Sequence, residues 1–218
     1  MTNIISVDHP AYQITWRAAK QERFNGAFYY AKEIERNIIP NVQTDRSWVL
    51  INCRPHAYSH SIVFIHNNLY PHIYDWLRNY GYSDLVLICG IPETCRKVQH
   101  IGRAVYLPLS IDVQEVKQYR TEKTRGAAFV GRQPKRKGVT FPGGVDFIEG
   151  LPRHKLLKEM AKYETVYAVG RTAIEAKVLG CKVEPYDPRF PDPDVWKVVD
   201  NRDAAKKLQE EIDKIDRR

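Results

Sequence analysis

The chain has 218 residues, 43% of them hydrophobic and 28% charged, with a formal net charge of +8 and an isoelectric point near 9.3. That length and balance suit one large or two small globular domains with a real core, and they exclude a disordered or fibrous chain. No apolar run approaches the roughly 20 residues that span a bilayer, and the start, Met1 to Asp8, lacks the basic and apolar regions of a secretory leader.

In chain order, residues 3–8 form a first expected strand that ends at Asp8-His9-Pro10. A helix is expected over residues 25–37, where Phe28, Ala31, Ile34 and Ile38 recur at helical spacing and Pro40 stands just beyond. The apolar runs at 48–53, 61–66, 84–89 and 104–109 read as strands. Helices are expected between them over 71–80 and from Pro92 to about Gln99. The polar run 117–126 reads as a linker, so domains are expected over 1–120 and 121–218. In the second half come a strand at 127–130, a helix over 152–162, a strand at 165–169, a helix over 173–179 and a strand at 182–186. A Pro-rich loop at 187–193 precedes a charged helix over 203–215. Short apolar strands alternating with helices predict parallel sheets, hence an α/β chain of two Rossmann-like domains facing a cleft.

Four cysteines (Cys53, Cys89, Cys95, Cys181) lack framework spacing, which predicts reduced thiols in a cytoplasmic setting. Residues 1–120 carry 13 Lys and Arg against 10 Asp and Glu, and 121–218 carry 21 against 16. The excess, +3 and +5, is spread over both halves. A polyanionic partner fits it, and so does a surface that is basic only for solubility. No basic tail and no zinc-finger, homeodomain or RNP motif sharpens the reading towards DNA.

Two stretches carry the chemistry. In the first, an apolar strand runs into Gly170-Arg171-Thr172-Ala173-Ile174-Glu175-Ala176, with Thr172 as the expected N-cap and Gly180 as the helix stop. A strand, a glycine turn and a helix N-terminus aim backbone N–H groups and a positive dipole end at one point, where a phosphate fits. Glu175 stands one turn in, within reach of ribose hydroxyls. In the second stretch, a strand ends at Val130-Gly131-Arg132 and Lys137-Gly138 follow; from Lys123 to Lys137 there are six basic residues and no acidic one. Arg132 offers a planar fork for phosphate and Lys137 a mobile point charge.

In order and spacing, Gly131-Arg132…Lys137-Gly138 and Thr172-Ala173-Ile174-Glu175-Ala176 with Gly180-Cys181 resemble the donor half of GT-B glycosyltransferases. The resemblance covers roughly residues 105–186. It implies that Arg132 and Lys137 take the diphosphate of a nucleotide-sugar and Glu175 its ribose, while Gly170, Arg171 and Thr172 approach the phosphates. It further implies that the stretch from Tyr106 to Asp112 hands the first domain over to the second. Many retaining members carry a second Glu eight residues before the ribose Glu, where this chain has Tyr167.

The expected function is sugar transfer from a nucleotide-diphosphate sugar, uridine-based, to an acceptor for which the basic charge admits a modified base in DNA. Such an acceptor has to be flipped out of the duplex. The alternative is a GT-B-like nucleotide- or nucleic-acid-binding protein without catalysis. Transfer needs a base, and Asp8 and His9 are the candidates, with His66 next. No tightly bound cofactor and no metal is expected. Cys53, His56, His60 and His66 match no common structural zinc spacing. Tyr12, Trp16 and Tyr58 are candidates for stacking on a sugar or base.

Overall fold

The computed structural model describes residues 26–51, 59–65, 75, 78, 83–131, 141, 143–187 and 192–217. The expected first strand at 3–8 and most of the expected helix at 71–80 lie outside them. The chain divides into two compact units, one containing Ala27–Pro108 and Asn201–Arg218, the other Leu109–Asp200.

The first unit opens with α1 (Gly26–Glu33), which continues as a π-turn (Ile34–Ile38) and a short 3₁₀ turn (Ile39–Asn41). Strands β1 (Ser47–Ile51), β2 (Ser61–Ile65), β3 (Leu85–Cys89) and β4 (Arg103–Tyr106) follow, with α2 (Pro92–Val98) between the last two. They form one parallel sheet in the order β1-β2-β3-β4. Every residue of β2 and β3 is buried, so both faces are covered, as a parallel sheet requires. On one face Val49, Val63, Ile65, Leu85, Leu87 and Cys89 pack with Val98 of α2. On the other, Phe64 stacks on Trp48 and meets the edge of Tyr30 from α1, each pair of centroids 6.1 Å apart. Each such buried apolar side chain contributes about 2 kcal/mol.

The second unit holds α3 (Val113–Lys117), β5 (Arg125–Val130), β6 (Val145–Ile148), α4 (Arg153–Met160), β7 (Tyr163–Tyr167), α5 (Arg171–Val178) and β8 (Lys182–Glu184). Its parallel sheet runs β6-β5-β7-β8. The last helix, α6 (Asn201–Asp216), buries Ala204, Ala205, Leu208 and Ile212 and belongs with the first unit. There Asp216 takes Arg46 at 2.8 Å, and Asn201 donates to Glu33 of α1.

The α/β class and the parallel sheets agree with the sequence reading. The division between units differs from the expected 120/121: it falls at Pro108/Leu109, and α6 returns to the first unit. The polar run after Lys117 is no tether. Arg120 Nε donates to Val178 O at 2.6 Å, and Lys123 Nζ to Ala161 O and Leu179 O at 2.8 and 2.9 Å, all inside the second unit. Among the described residues no helix is long and apolar enough to cross a membrane.

Candidate functional site

The second sheet reverses its strand order. From β5 the chain moves outward to β6, then crosses to β7 on the other side of β5. Such a reversal leaves a crevice at the carboxyl ends of the two strands, where α/β proteins take ligands. Phe129 of β5 pairs in register with Tyr167 of β7. Gly131 follows two residues after the first and Gly170 three after the second, so the two glycine turns of the sequence reading stand on neighbouring strand ends.

Each glycine has its own reason to be there. At Gly131 the ring of Phe129 folds beneath the backbone, and a Cβ would sit 2.8 Å from Phe129 Cζ. Gly170 has φ +63° and ψ −139°, a conformation that L side chains avoid, and it forms the N-terminal boundary of α5. The helix starts at Arg171, and its first backbone bond runs from Ile174 N to Gly170 O at 3.2 Å. Gly170, as the N-cap residue, has no side chain to cap that end. The expected N-cap, Thr172, therefore lies inside the first turn, because the glycine's backbone already turns the chain into the helix. The first N–H groups of this turn have no partner within the helix and point out of its end, where an anion is favoured.

Glu175 is buried, its side chain 4% exposed, and its Oε1 accepts from Arg171 Nε at 2.9 Å and Arg153 Nε at 3.1 Å. Arg153, the first residue of α4, also pairs through Nη1 with Glu115 of α3 at 2.6 Å. The network ties α3, α4 and α5 together behind the helix N-terminus. Among the described residues Glu175 Oε2 has no hydrogen-bond partner. Sequence reasoning singled out neither Arg153 nor Glu115. They stand 22 and 60 positions from Glu175, and neither lies in a recognisable motif.

Beside the glycine turns lies a cluster of rings from Phe129, Phe141, Phe147, Tyr167 and Tyr186. Phe141 packs on Phe129 with centroids 4.9 Å apart and meets Tyr167 edge-on at 5.3 Å. Tyr167 thus has a packing role in the second unit. Phe147 is the open edge of the cluster, 58% exposed.

Of the candidate site residues, Gly131, Gly170, Arg171, Thr172 and Glu175 are described, and the second unit holds them all. Asp8, His9, Tyr12, Trp16, Cys53, His56, Tyr58, His66, Arg132 and Lys137 lie outside the described residues. Of the basic run, Lys123 is tied to helix-end carbonyls, and Arg125 to Glu159 and Tyr163, each at 2.8 Å. The other basic residues of the run, Arg132, Lys135, Arg136 and Lys137, lie outside the described residues. His60 is bonded to Asp84 and Asp45.

Fold and site together define an α/β protein with two four-stranded parallel sheets, Rossmann-like in kind. Neither the protein-family models nor the curated proteins compared with the chain give a match.

Proposed function

We propose that the protein is a glycosyltransferase of GT-B type that binds a nucleotide-diphosphate sugar, uridine-based, on its second unit. The observation that carries this reading is the strand reversal at β5 and β7, which sets Gly131 and Gly170 side by side at one crevice. The boundary between the units, at Pro108/Leu109, also falls inside the stretch from Tyr106 to Asp112 that the family likeness marks as the handover.

In this reading Arg132 and Lys137 hold the diphosphate, assisted by the N–H groups of the first turn of α5. Negative charge grows on the diphosphate as the sugar leaves, and fixed cations and dipoles stabilise it there. Arg153 and Arg171 orient Glu175 through Oε1, and its Oε2 receives the ribose hydroxyls. Asp8 or His9 removes the acceptor proton. A base in DNA is the acceptor that the excess of basic residues favours.

A second reading, nucleotide or nucleic-acid binding without transfer, is favoured by the packing role of Tyr167. Calorimetric titration with uridine diphosphate and a panel of nucleotide-sugars, followed by assay of released diphosphate, separates the two. Arg132→Ala and Lys137→Ala are each expected to weaken binding about tenfold or more, the scale of one charge-assisted hydrogen bond. Binding without turnover for every donor leaves only the second reading. Donor affinity unchanged in both variants overturns the clamp itself. With DNA as acceptor, binding falls steeply with salt, and a neutral acceptor gives almost no slope.

A further inference from the structure

One face of the second sheet carries a row of rings to which the nucleotide site assigns no task. Phe147 of β6, Phe129 of β5 and Tyr167 of β7 stand in register across three neighbouring strands. Register partners in a parallel pair project to the same side, so the row belongs to a single face. Phe129 is its buried centre, and Phe141 and Tyr186 close around it. Phe147 is held from within by Phe129, with centroids 5.8 Å apart, and by Phe141, edge-on at 5.7 Å. The rest of the Phe147 ring faces solvent, and among the described side chains no other aromatic is as exposed. Phe147 also lines a cavity of about 320 Å³, together with Arg125, Asp146, Glu149, Glu159 and Tyr163.

We propose that this row is a stacking platform for an unpaired base of a nucleic-acid strand, the base lying on the open side of Phe147 with its polar edge towards the cavity. The proposal rests on the reading above for its partner class, a nucleic acid, and needs neither the nucleotide-sugar nor transfer. Aromatic side chains on an open sheet face are one way proteins hold unpaired bases, because every base has a π-face. The neighbouring rings fix Phe147 in advance, so stacking orders little that was free.

The surroundings select the occupant. A second copy of the chain is too large, since one exposed ring offers far less than the roughly 800 Å² that each partner of a stable dimer covers. The cavity rim mixes a guanidinium donor, Arg125, with carboxylate acceptors, Asp146 and Glu149. That mixture suits the N–H and C=O groups of a base edge, whereas the carboxylates turn away a bare phosphate or an acidic peptide. The phosphates of the strand stay outside the cavity. The net charge of +8 attracts them, and Lys182 of β8, on the same face as the row, is 73% exposed.

Fluorescence anisotropy of the full chain with a short labelled oligothymidylate, and with an abasic strand of the same length, tests the platform. The base-bearing strand is expected to bind about tenfold tighter or more, the scale of one stacked base. Phe147→Ala should bring it down to the abasic level, and so should Phe147→Leu, which is apolar but not aromatic. Phe147→Trp should keep the preference. The ring is largely in solvent, so these variants are expected to fold, with melting temperatures as the check, and the Trp variant keeps the test decisive if truncation loosens the cluster. Uridine diphosphate binding, whether strong or absent, should be the same in Phe147→Ala and the unmutated chain, so failure of the nucleotide-sugar reading leaves this result legible. Equal binding of the two strands overturns the proposal, as does a base preference that survives Phe147→Ala. Loss of uridine diphosphate binding with the ring also overturns it, because the platform then serves the donor nucleotide.

Discussion

The two sheets have the same number of described strands, all parallel, yet they differ in where they offer a ligand site. The first advances steadily, β1-β2-β3-β4, and among the described strands its order never reverses. Its carboxyl edge carries thiols and Tyr106, and its amino edge carries a charged clamp in which buried Arg46 pairs with Asp84 at 3.0 Å and Asp216 at 2.8 Å. The second reverses at β5 and β7, and both glycine turns fall at that reversal. Strand order, more than composition, sets where the backbone opens to a ligand.

The sharpest way to break this contrast is at Glu175. Removing the carboxylate takes one ion-pair partner from each of two largely buried arginines, whose side chains are 8% and 13% exposed. Loss of one partner from a buried ion pair costs about 3–5 kcal/mol. Glu175→Ala should therefore lower the unfolding free energy of the second unit, read from denaturant titration, by about that amount, and Glu175→Gln, which keeps an acceptor oxygen, by clearly less. Equal stability of the two variants would mean that the arginines, and not the carboxylate, hold α3, α4 and α5 together.

Gly170 gives a smaller effect with a cleaner cause. Among the described residues nothing beyond the chain neighbours lies within 4 Å of a Cβ built there, so the cost of Gly170→Ala is that of its backbone conformation. The expected loss is about 1–3 kcal/mol. Weaker binding of uridine diphosphate should accompany it, because the same turn aims the N–H groups of α5. A loss of stability with unchanged binding would detach the turn from the ligand site.

Much of this was legible in the sequence, for identifiable reasons. The runs 61–65 and 85–89 are apolar without a break because both faces are covered, so they read as strands at once. Gly131 and Gly170 are visible because few other residues fit, at Gly131 for the Phe129 ring beneath it and at Gly170 for its backbone conformation. Strand β6 was missed: it is short, and Asp146 and Phe147 are exposed, so no apolar run marks it. The sequence places the α5 N-cap at Thr172, two residues after Gly170, since Ser and Thr signal caps in a sequence whereas a glycine's dihedral angles leave no such sign. The ion network of Glu115, Arg153, Arg171 and Glu175 joins three helices, and no local spacing encodes such a contact. The same is true of Arg46 with Asp216, which are 170 positions apart.

The smallest expected effect tests the amino edge of the first sheet. His60 faces Asp84 through Nδ1 at 2.6 Å and Asp45 through Nε2 at 3.0 Å, and Arg46 stands on the far oxygen of Asp84. Asp84 first, then Asp45, raise the His60 pKa, against burial and the Arg46 charge. Both carboxylates are lowered, chiefly by their bonds to His60. A group raised on folding adds stability that is whole below its unfolded value, about 6.5, and is lost as pH climbs through the folded value. The carboxylates do the reverse: their contribution is present above about 4 and is lost as pH falls through the lowered values. Stability from this clamp should thus be level between about pH 4 and 6.5 and decline above it. With His60 46% exposed and Asp45 85% exposed, solvent screens the pairs and the decline is shallow. Melting temperatures from pH 5 to 9 should show a gentle fall on the alkaline side that vanishes in His60→Gln and shrinks in high salt. If the fall persists in that variant, the titrating group lies elsewhere, and the amino edge is held by Arg46 alone.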